Sequence, residues 1–146
     1  MGKIKYLLLA LAFVMAGCAA TAPESGDGIP NKMVIQVSTD DPRTQMIALN
    51  NAVNLQKALG PGNVHVEIVA YGPGLSLLTK NSKQARRVAG LALYDEITFS
   101  ACNNTMKKIK RKRGRMPKLI EGVEVVPAGV TRIMELQQQG YTYLRP

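Results

Sequence analysis

Apolar residues along this chain form compact runs that alternate with longer segments of helical spacing. Five runs, rich in β-branched and aromatic residues, predict strands at residues 33–37, 64–71, 96–101, 122–126 and 141–144. Helices are predicted between them at residues 44–59, 82–93, 103–114 and 127–139, with a short turn or helix at 75–78. Strands that alternate with helices indicate an α/β fold, with a parallel sheet covered on both faces.

Turn-forming residues mark the ends of these elements. After the first strand, Asp40 or Thr39 is expected to cap the next helix. The alternative is that Ser38, Thr39 and Asp40 line a cleft at the end of this strand. Glycines and prolines at residues 60–62 and 72–74 end the first helix and the second strand. Pro127 is expected to begin the last helix, because proline is tolerated in the first turn.

The first 17 residues have the pattern of an export signal. Lys3 and Lys5 precede an uninterrupted apolar run at residues 6–15, which is too short for a comfortable membrane span. Residues 15–18, Met-Ala-Gly-Cys, resemble the lipobox of bacterial lipoproteins, in which the cysteine is acylated and becomes the new N-terminus. The resemblance implies lipidation of Cys18. The alternative is an ordinary secreted protein that is cut nearby.

A tether and one domain are expected to follow the signal. Residues 18–32 are rich in small and turn-forming residues without an apolar period, which predicts a flexible tether. Residues 33–146 form one domain that is large enough for a hydrophobic core. A lipid anchor on Cys18 implies a periplasmic protein attached to a membrane. Ala19 stands where an inner-membrane retention signal has aspartate, which favours the outer membrane.

Positive charge is concentrated in one stretch of the domain. Residues 18–146 hold 17 Lys and Arg against 10 Asp and Glu, and seven of these basic residues lie between Lys107 and Arg115. Without those seven, the basic and acidic residues balance, so no nucleic-acid partner is expected of the fold. The basic stretch is interpreted as a solvated helix end, with anionic lipid or an acidic partner as the alternative.

Cys102 is the candidate reactive residue. The only other cysteine, Cys18, is expected to be lipidated, which leaves the thiol of Cys102 without an intramolecular cysteine partner. Cys102 follows the third predicted strand, and pockets in parallel α/β proteins form beyond the carboxyl ends of strands. A helix that begins at Asn103 or Asn104 would direct free N–H groups and its dipole at the sulfur, which stabilises the thiolate and lowers the thiol pKa. The alternative is a buried cysteine that packs as a small hydrophobic residue.

Two segments are expected to shape a pocket around this thiol, one after the second strand and one after the third. Glycines at the first segment permit close backbone approach and exposed N–H groups, although a simple tight turn there is an equal alternative. The expected pocket residues are Tyr71, Gly72, Gly74, Asn103, Asn104 and Thr105.

Other catalytic constellations are missing from the sequence. His65, the sole histidine, lies early in the second strand and so at the sheet edge opposite Cys102, which argues against a Cys–His dyad within one subunit. There is no metal-ligand spacing, Gly-rich phosphate loop or Ser-His-Asp set. No metal, cofactor, hydrolase or nucleotide chemistry is therefore expected.

Several segments in order resemble the DsrE/DsrF-like family of small α/β proteins, named for sulfur-handling members. The resemblance covers residues 32–146, and its segments are residues 34–38, 48–55, 66–74, 99–105, 126–130 and 135–141. It implies a DsrEFH-like, three-layer α/β/α sandwich with a mainly parallel five-stranded sheet, flavodoxin-like in appearance. It also implies assembly as a homotrimer or homohexamer.

The same resemblance implies a function for Cys102. In the best-understood members of the family, a cysteine at this position carries sulfur as a persulfide and passes it between proteins. The chain is therefore interpreted as an exported sulfur carrier or sulfur-relay protein, sulfurtransferase-like at most as an enzyme, with a sulfur donor or acceptor protein as its partner. Two alternatives stay open: an oligomeric binding or assembly module of the cell envelope with a structural Cys102, and a small-ligand sensor that uses the same cleft.

Overall fold

A computed structural model of the protein describes residues 28–146, in which five strands alternate with helices. The strands are β1 (Asn31–Val37), β2 (Val64–Ala70), β3 (Ile97–Cys102), β4 (Val123–Val126) and β5 (Thr142–Leu144). The α-helices are α1 (Pro42–Leu59), α2 (Ala85–Leu91), α3 (Asn103–Arg113) and α4 (Gly129–Gln138), and a 3-10 helix spans Gly72–Leu78. Within these residues, no helix combines the length and apolarity that crossing a membrane requires.

All five strands are parallel and form one sheet in the order β4-β3-β2-β1-β5. The register aligns Val37 with Ala70 and Ala70 with Ala101, so the first three strands end together. Cys102 lies one position further along β3 and pairs with Val126 of β4. The segments that follow four strands therefore meet at one edge of the sheet, called the carboxyl edge below.

The two faces of the sheet carry cores of unequal size, because alternate strand residues point to opposite faces. The larger core joins Ile35, Ile68 and Phe99 of the sheet to buried residues of α1, α2, α3 and the 3-10 helix. The smaller core joins Val34 and Val69 to Ile133 and Leu136 of α4. The three-layer α/β/α fold expected from the sequence is confirmed, with α4 as the helix of its thinner layer.

Three local features differ from the sequence expectations. Asp41, and not Asp40 or Thr39, caps α1, since its carboxylate accepts hydrogen bonds of 2.7 Å from both the N–H and the hydroxyl of Thr44. The helix α2 begins at Ala85, because the Gln84 N–H donates to the Ser82 hydroxyl and residues 82–84 form a turn. The helix α4 begins at Gly129 because the preceding Ala128 is extended, which leaves Pro127 outside the helix.

The N-terminal expectations fall largely outside the described residues. The export signal, the lipidation of Cys18 and the tether up to residue 27 concern residues that lie outside the described range of 28–146. The strand β1 begins at Asn31, two residues before the expected start of the domain.

Gly74 provides a test of how closely the 3-10 helix packs on the sheet. A Cβ at this position would overlap the carbonyl of Val37 at the end of β1, and backbone atoms cannot yield as a flexible side chain can. We expect Gly74→Ala to lower the free energy of unfolding by about 2–3 kcal/mol in urea titrations, in the range typical of overpacked sites.

Gly90 in α2 is the matched control, because a Cβ there meets no atom within 4 Å. Gly90→Ala is expected to stabilise the protein by up to about 1 kcal/mol, since alanine is the better helix former. Equal urea midpoints for the two variants would contradict the close approach of Gly74 to β1.

Candidate functional site

Cys102 lies at the carboxyl edge, at a direct junction between a strand and a helix. It is the last residue of β3 and the N-cap of α3, so no loop separates the two elements. Strand alternation places its side chain on the same face as Ser100, the face that α4 covers. The residue is 5% exposed, and its thiol forms no disulfide.

Four N–H and O–H groups of neighbouring residues favour the Cys102 thiolate. They are the Thr105 hydroxyl and the backbone N–H groups of Thr105, Gly129 and Asn104. Burial raises the pKa of the Cys102 thiol, but the donors lower it by more, so the pKa lies below its ordinary value. The thiol does not close a cap hydrogen bond of regular geometry on α3. The donors lower the pKa of Cys102 chiefly because they stabilise the negative charge of the thiolate.

The segment after β2 orients Thr105. The Gly72 N–H donates to the Thr105 Oγ1 over 2.9 Å, which leaves the hydroxyl hydrogen free to point at Cys102. Gly72 has a φ of 55°, in the left-handed region that favours glycine. A backbone amide of one strand end thus orients the hydroxyl that reaches the thiol at the next strand end. The structure thus brings together Gly72, Thr105 and Cys102.

The remaining predicted pocket residues have different surroundings. The ring of Tyr71 packs against Gly129, where an added Cβ would lie 2.9 Å from Tyr71 Cδ1. The Asn104 N–H also donates to the Pro127 carbonyl over 3.3 Å. Asn103 is half-buried in the first turn of α3, and Gly74 is buried against the end of β1.

Sequence reasoning did not identify Gly129 as part of the site. Its N–H reaches the sulfur from the start of α4, 27 positions after Cys102 in the chain. The close contact with Tyr71 explains why glycine stands here, since a larger residue would push α4 away from the thiol. The available signal was the run of small residues Ala128 and Gly129 after the fourth strand, which ends at the same edge as β3.

An open cleft of about 1150 Å³ lies beside the thiol. Tyr71, Gly72, Asn104 and Thr105 line it, and the last two also donate to Cys102. Cys102 itself does not line the cleft, and neither do Asn103 and Gly74. The thiol is therefore not part of the cleft surface.

The charge of this cleft is strongly one-sided. Its acidic lining among the described residues is Asp40 alone. Its seven basic lining residues are Lys80, Lys83, Lys108, Lys112, Arg113, Arg115 and Lys118. Residues 78–80 and 118–120 are joined by an antiparallel bridge between Thr79 and Leu119, and the Lys80 N–H donates to the Lys118 carbonyl over 2.9 Å. The basic residues thus come from three segments that the fold brings together.

A buried ion pair fixes α4 on the sheet. Glu67 in β2 is 1% exposed and accepts hydrogen bonds from the Ser100 hydroxyl at 2.6 Å and from Arg132 Nε and Nη2 at 2.8 and 2.7 Å. The hydrogen bonds from Arg132 to Glu67 raise the pKa of the guanidinium, although burial opposes the shift. Arg132 lies one turn after Gly129, so the pair anchors the part of α4 that contacts the thiol.

His65 lies at the opposite edge of the sheet, as expected. Its Nε2 is 3.1 Å from the Thr98 hydroxyl, and its Nδ1 is 2.9 Å from the Tyr141 hydroxyl. Burial lowers the pKa of His65, so the neutral imidazole is favoured. Within residues 28–146, no group of three or more His, Cys, Asp or Glu side chains is arranged to hold a metal ion.

We expect Thr105→Val to raise the pKa of Cys102, because it removes the hydroxyl donor while the side-chain shape is nearly kept. Fewer molecules then hold the thiolate at pH 7, so alkylation by iodoacetamide should be several-fold slower. The pH dependence of the alkylation rate measures the shift. Thr105→Ser restores a hydroxyl and should return the profile toward that of the parent. Coincident profiles for all three proteins would exclude a role for the hydroxyl.

Arg132→Leu tests the anchor of α4. It leaves the buried Glu67 carboxylate without its cation, which should lower the free energy of unfolding by about 3–5 kcal/mol. The control is Arg86→Leu, which removes an exposed arginine of α2 and should cost about 0.5 kcal/mol or less. Urea titration measures both, and similar losses would show that the ion pair is not specially important.

Comparisons with known proteins agree with this architecture. Residues 31–146 match the family model described as the DsrE/DsrF-like family. Among solved structures, the chain is similar to MTH1491, a protein of unknown function from Methanobacterium thermoautotrophicum, with 31% identity and a TM-score of 0.70 over 80% of this chain and 99% of that one. No curated protein matches the chain. With its five-stranded parallel sheet and a match over nearly the whole described region, the chain belongs to the DsrE/DsrF-like family.

Proposed function

We propose that this protein carries sulfur as a persulfide on Cys102 and passes it to an acceptor protein. The observation that carries the proposal is the position of Cys102 at the start of α3, where four N–H and O–H groups favour its thiolate. The thiolate is the form of cysteine that attacks sulfur.

Family membership supports sulfur handling in general terms, since sulfur relay is a frequent role among DsrE/DsrF-like proteins. The position of Cys102 at a carboxyl edge adds a physical reason that is independent of the family. Backbone N–H groups and the start of a helix are available at this edge without a dedicated binding motif.

The proposal includes export and anchoring through Cys18, with the domain in the periplasm on the outer membrane and assembled as a homotrimer or homohexamer. The pattern of residues 1–18 supports the export and the anchoring, and family membership supports the oligomer. An oxidising compartment endangers thiols and persulfides. The 5% exposure of Cys102 fits such a location, because burial restricts access of oxidants to the sulfur.

The same burial favours a second candidate function. A cysteine with so little exposure also suits a structural role in the core. The protein would then be an oligomeric binding or assembly module of the cell envelope. Its activity would lie on the surface of the oligomer, and Cys102→Ser would leave assembly and partner binding intact.

The test of sulfur carriage is the intact mass of the full chain with Cys18→Ala, so that Cys102 is its one thiol. Incubation with a persulfide donor should add about 32 Da, the mass of one sulfur atom, and a reductant should remove it, as expected for an activated thiolate. Peptide mapping should confine the addition to Cys102.

The control for this experiment carries Cys102→Ser as well and should gain no mass. A Cys102 that takes up no sulfur and resists alkylation until the protein unfolds would overturn the carrier proposal. The envelope binding module would then be the better account.

A further inference from the structure

The seven basic residues of the cleft carry charge that the fold does not neutralise. All seven are exposed, and none of them forms a salt bridge with another residue of the described range 28–146. Like charges at close range repel one another, so this concentration of charge does not stabilise the fold. A concave surface lined by one sign of charge instead concentrates ligands of the opposite sign.

Two separate segments bring this charge to the cleft. Lys108 and Lys112 stand one turn apart on α3, and Lys80 and Lys83 follow the 3-10 helix. A ligand that enters the cleft can therefore meet lysine side chains from both segments. The position of these lysines in a concave surface distinguishes them from the solvated helix end that the sequence indicates.

Apolar side chains share the cleft with these charges. Ile109 directly follows Lys108 on α3, and Met116 and Pro117 line the cleft beyond the end of the helix. The Met116 side chain is 39% exposed, although it is large and apolar. Methionine adapts its shape to different partners and is frequent at protein surfaces that bind peptides. The lining therefore suits a ligand that has apolar groups as well as negative charge.

The cleft has the dimensions of a short peptide. Its residues on α3 run from Asn104 to Arg113, which corresponds to about 14 Å at roughly 1.5 Å per residue. An extended peptide of about four residues has nearly the same length, at roughly 3.3 Å per residue. The cleft volume of about 1150 Å³ exceeds the range of roughly 300–1,000 Å³ that is typical of small-molecule sites. These dimensions fit a peptide segment better than a compact ion.

We propose that this cleft is the docking site for an acidic segment of a partner protein, in which carboxylate side chains alternate with apolar ones. The carboxylates pair with the lysine and arginine side chains, and the apolar groups pack on Ile109 and Met116. The inference goes beyond the proposed function, because docking requires no reaction at Cys102, which does not line the cleft.

The helix α3 supplies a matched control for this docking site. Lys107 and Arg111 precede Lys108 and Lys112 by one position each and do not line the cleft. All four side chains are exposed, and the two pairs have the same spacing and the same charge. A flat anionic surface such as a bilayer could meet either pair, whereas a segment in the cleft depends on only one of them.

Fluorescence anisotropy with labelled peptides tests the docking on the full chain with Cys18→Ala. The first peptide alternates glutamate with leucine over about eight residues, twice the length of the α3 wall. We expect it to bind at low ionic strength and to lose most of its affinity near 1 M salt. A peptide with serine for leucine should bind about fivefold more weakly, because it buries less apolar surface. A peptide with glutamine for glutamate should bind at least about tenfold more weakly.

Two double variants on α3 then locate the binding. Lys108→Glu with Lys112→Glu should weaken the first peptide by about tenfold or more, because it reverses two charges in the cleft. Lys107→Glu with Arg111→Glu makes the same change of net charge on the same helix and should weaken it by less than about threefold.

A third double variant tests the other segment of the cleft. Lys80→Glu with Lys83→Glu should weaken the first peptide about as much as the cleft pair on α3, since both segments line the same space. Equal urea midpoints for all three double variants check that none of them has lost its fold. Because this pair lies outside α3, it tests the cleft even where a change in that helix disturbs folding.

Three results would overturn the docking site. The first is the absence of binding by the glutamate–leucine peptide at low ionic strength. The second is an equal loss for the two α3 variants, which would assign the binding to general surface charge. The third is equal affinity for the leucine and serine peptides, with displacement of both by tripolyphosphate, which would make the cleft a site for polyanions in general. Each of these results leaves sulfur carriage by Cys102 untouched, because no step of the experiment uses its thiol.

Discussion

The ion pair between Glu67 and Arg132 is the constraint on which the site depends. A carboxylate that is 1% exposed within a parallel sheet must have a partner, since an unpaired buried charge is strongly unfavourable. Arg132 supplies two hydrogen bonds and Ser100 a third. Because Arg132 belongs to α4, neutralising Glu67 also places the N-terminus of that helix. The Gly129 N–H then reaches the sulfur of Cys102, so the electrostatics of the thiol depend on a charge in the adjacent strand.

The sequence predicts the local parts of this arrangement and misses the distant ones. Periodicity gives the strand and helix around Cys102, and Gly72 and Thr105 were expected in the pocket because they directly follow neighbouring strands. Gly129 was not, because its part in the site follows from the packing of α4 against Tyr71 and from an ion pair between residues 65 positions apart. No local pattern encodes such a contact. The basic stretch shows the same limit, since spacing alone does not reveal that Lys108 lines the cleft while Lys107 does not.

Cys102 is buried and yet has a lowered thiol pKa, two properties that do not usually occur together. The sulfur is nearly covered, yet its pKa is lowered, because the groups that cover it are donors. An apolar cover of the same thickness would have raised the pKa and made the thiol inert. Asn104 and Thr105, which help to lower the pKa of the thiol, also line the cleft.

The strictly parallel sheet also gives the domain two unlike ends. Every strand runs toward the carboxyl edge, so Asn31, where the chain joins β1, lies at the edge farthest from the thiol. Seven strand residues separate the two edges by about 23 Å, at roughly 3.3 Å per residue. In the anchored protein that we propose, the chain therefore enters the domain about one strand length away from Cys102, at the end of the sheet opposite the reactive thiol.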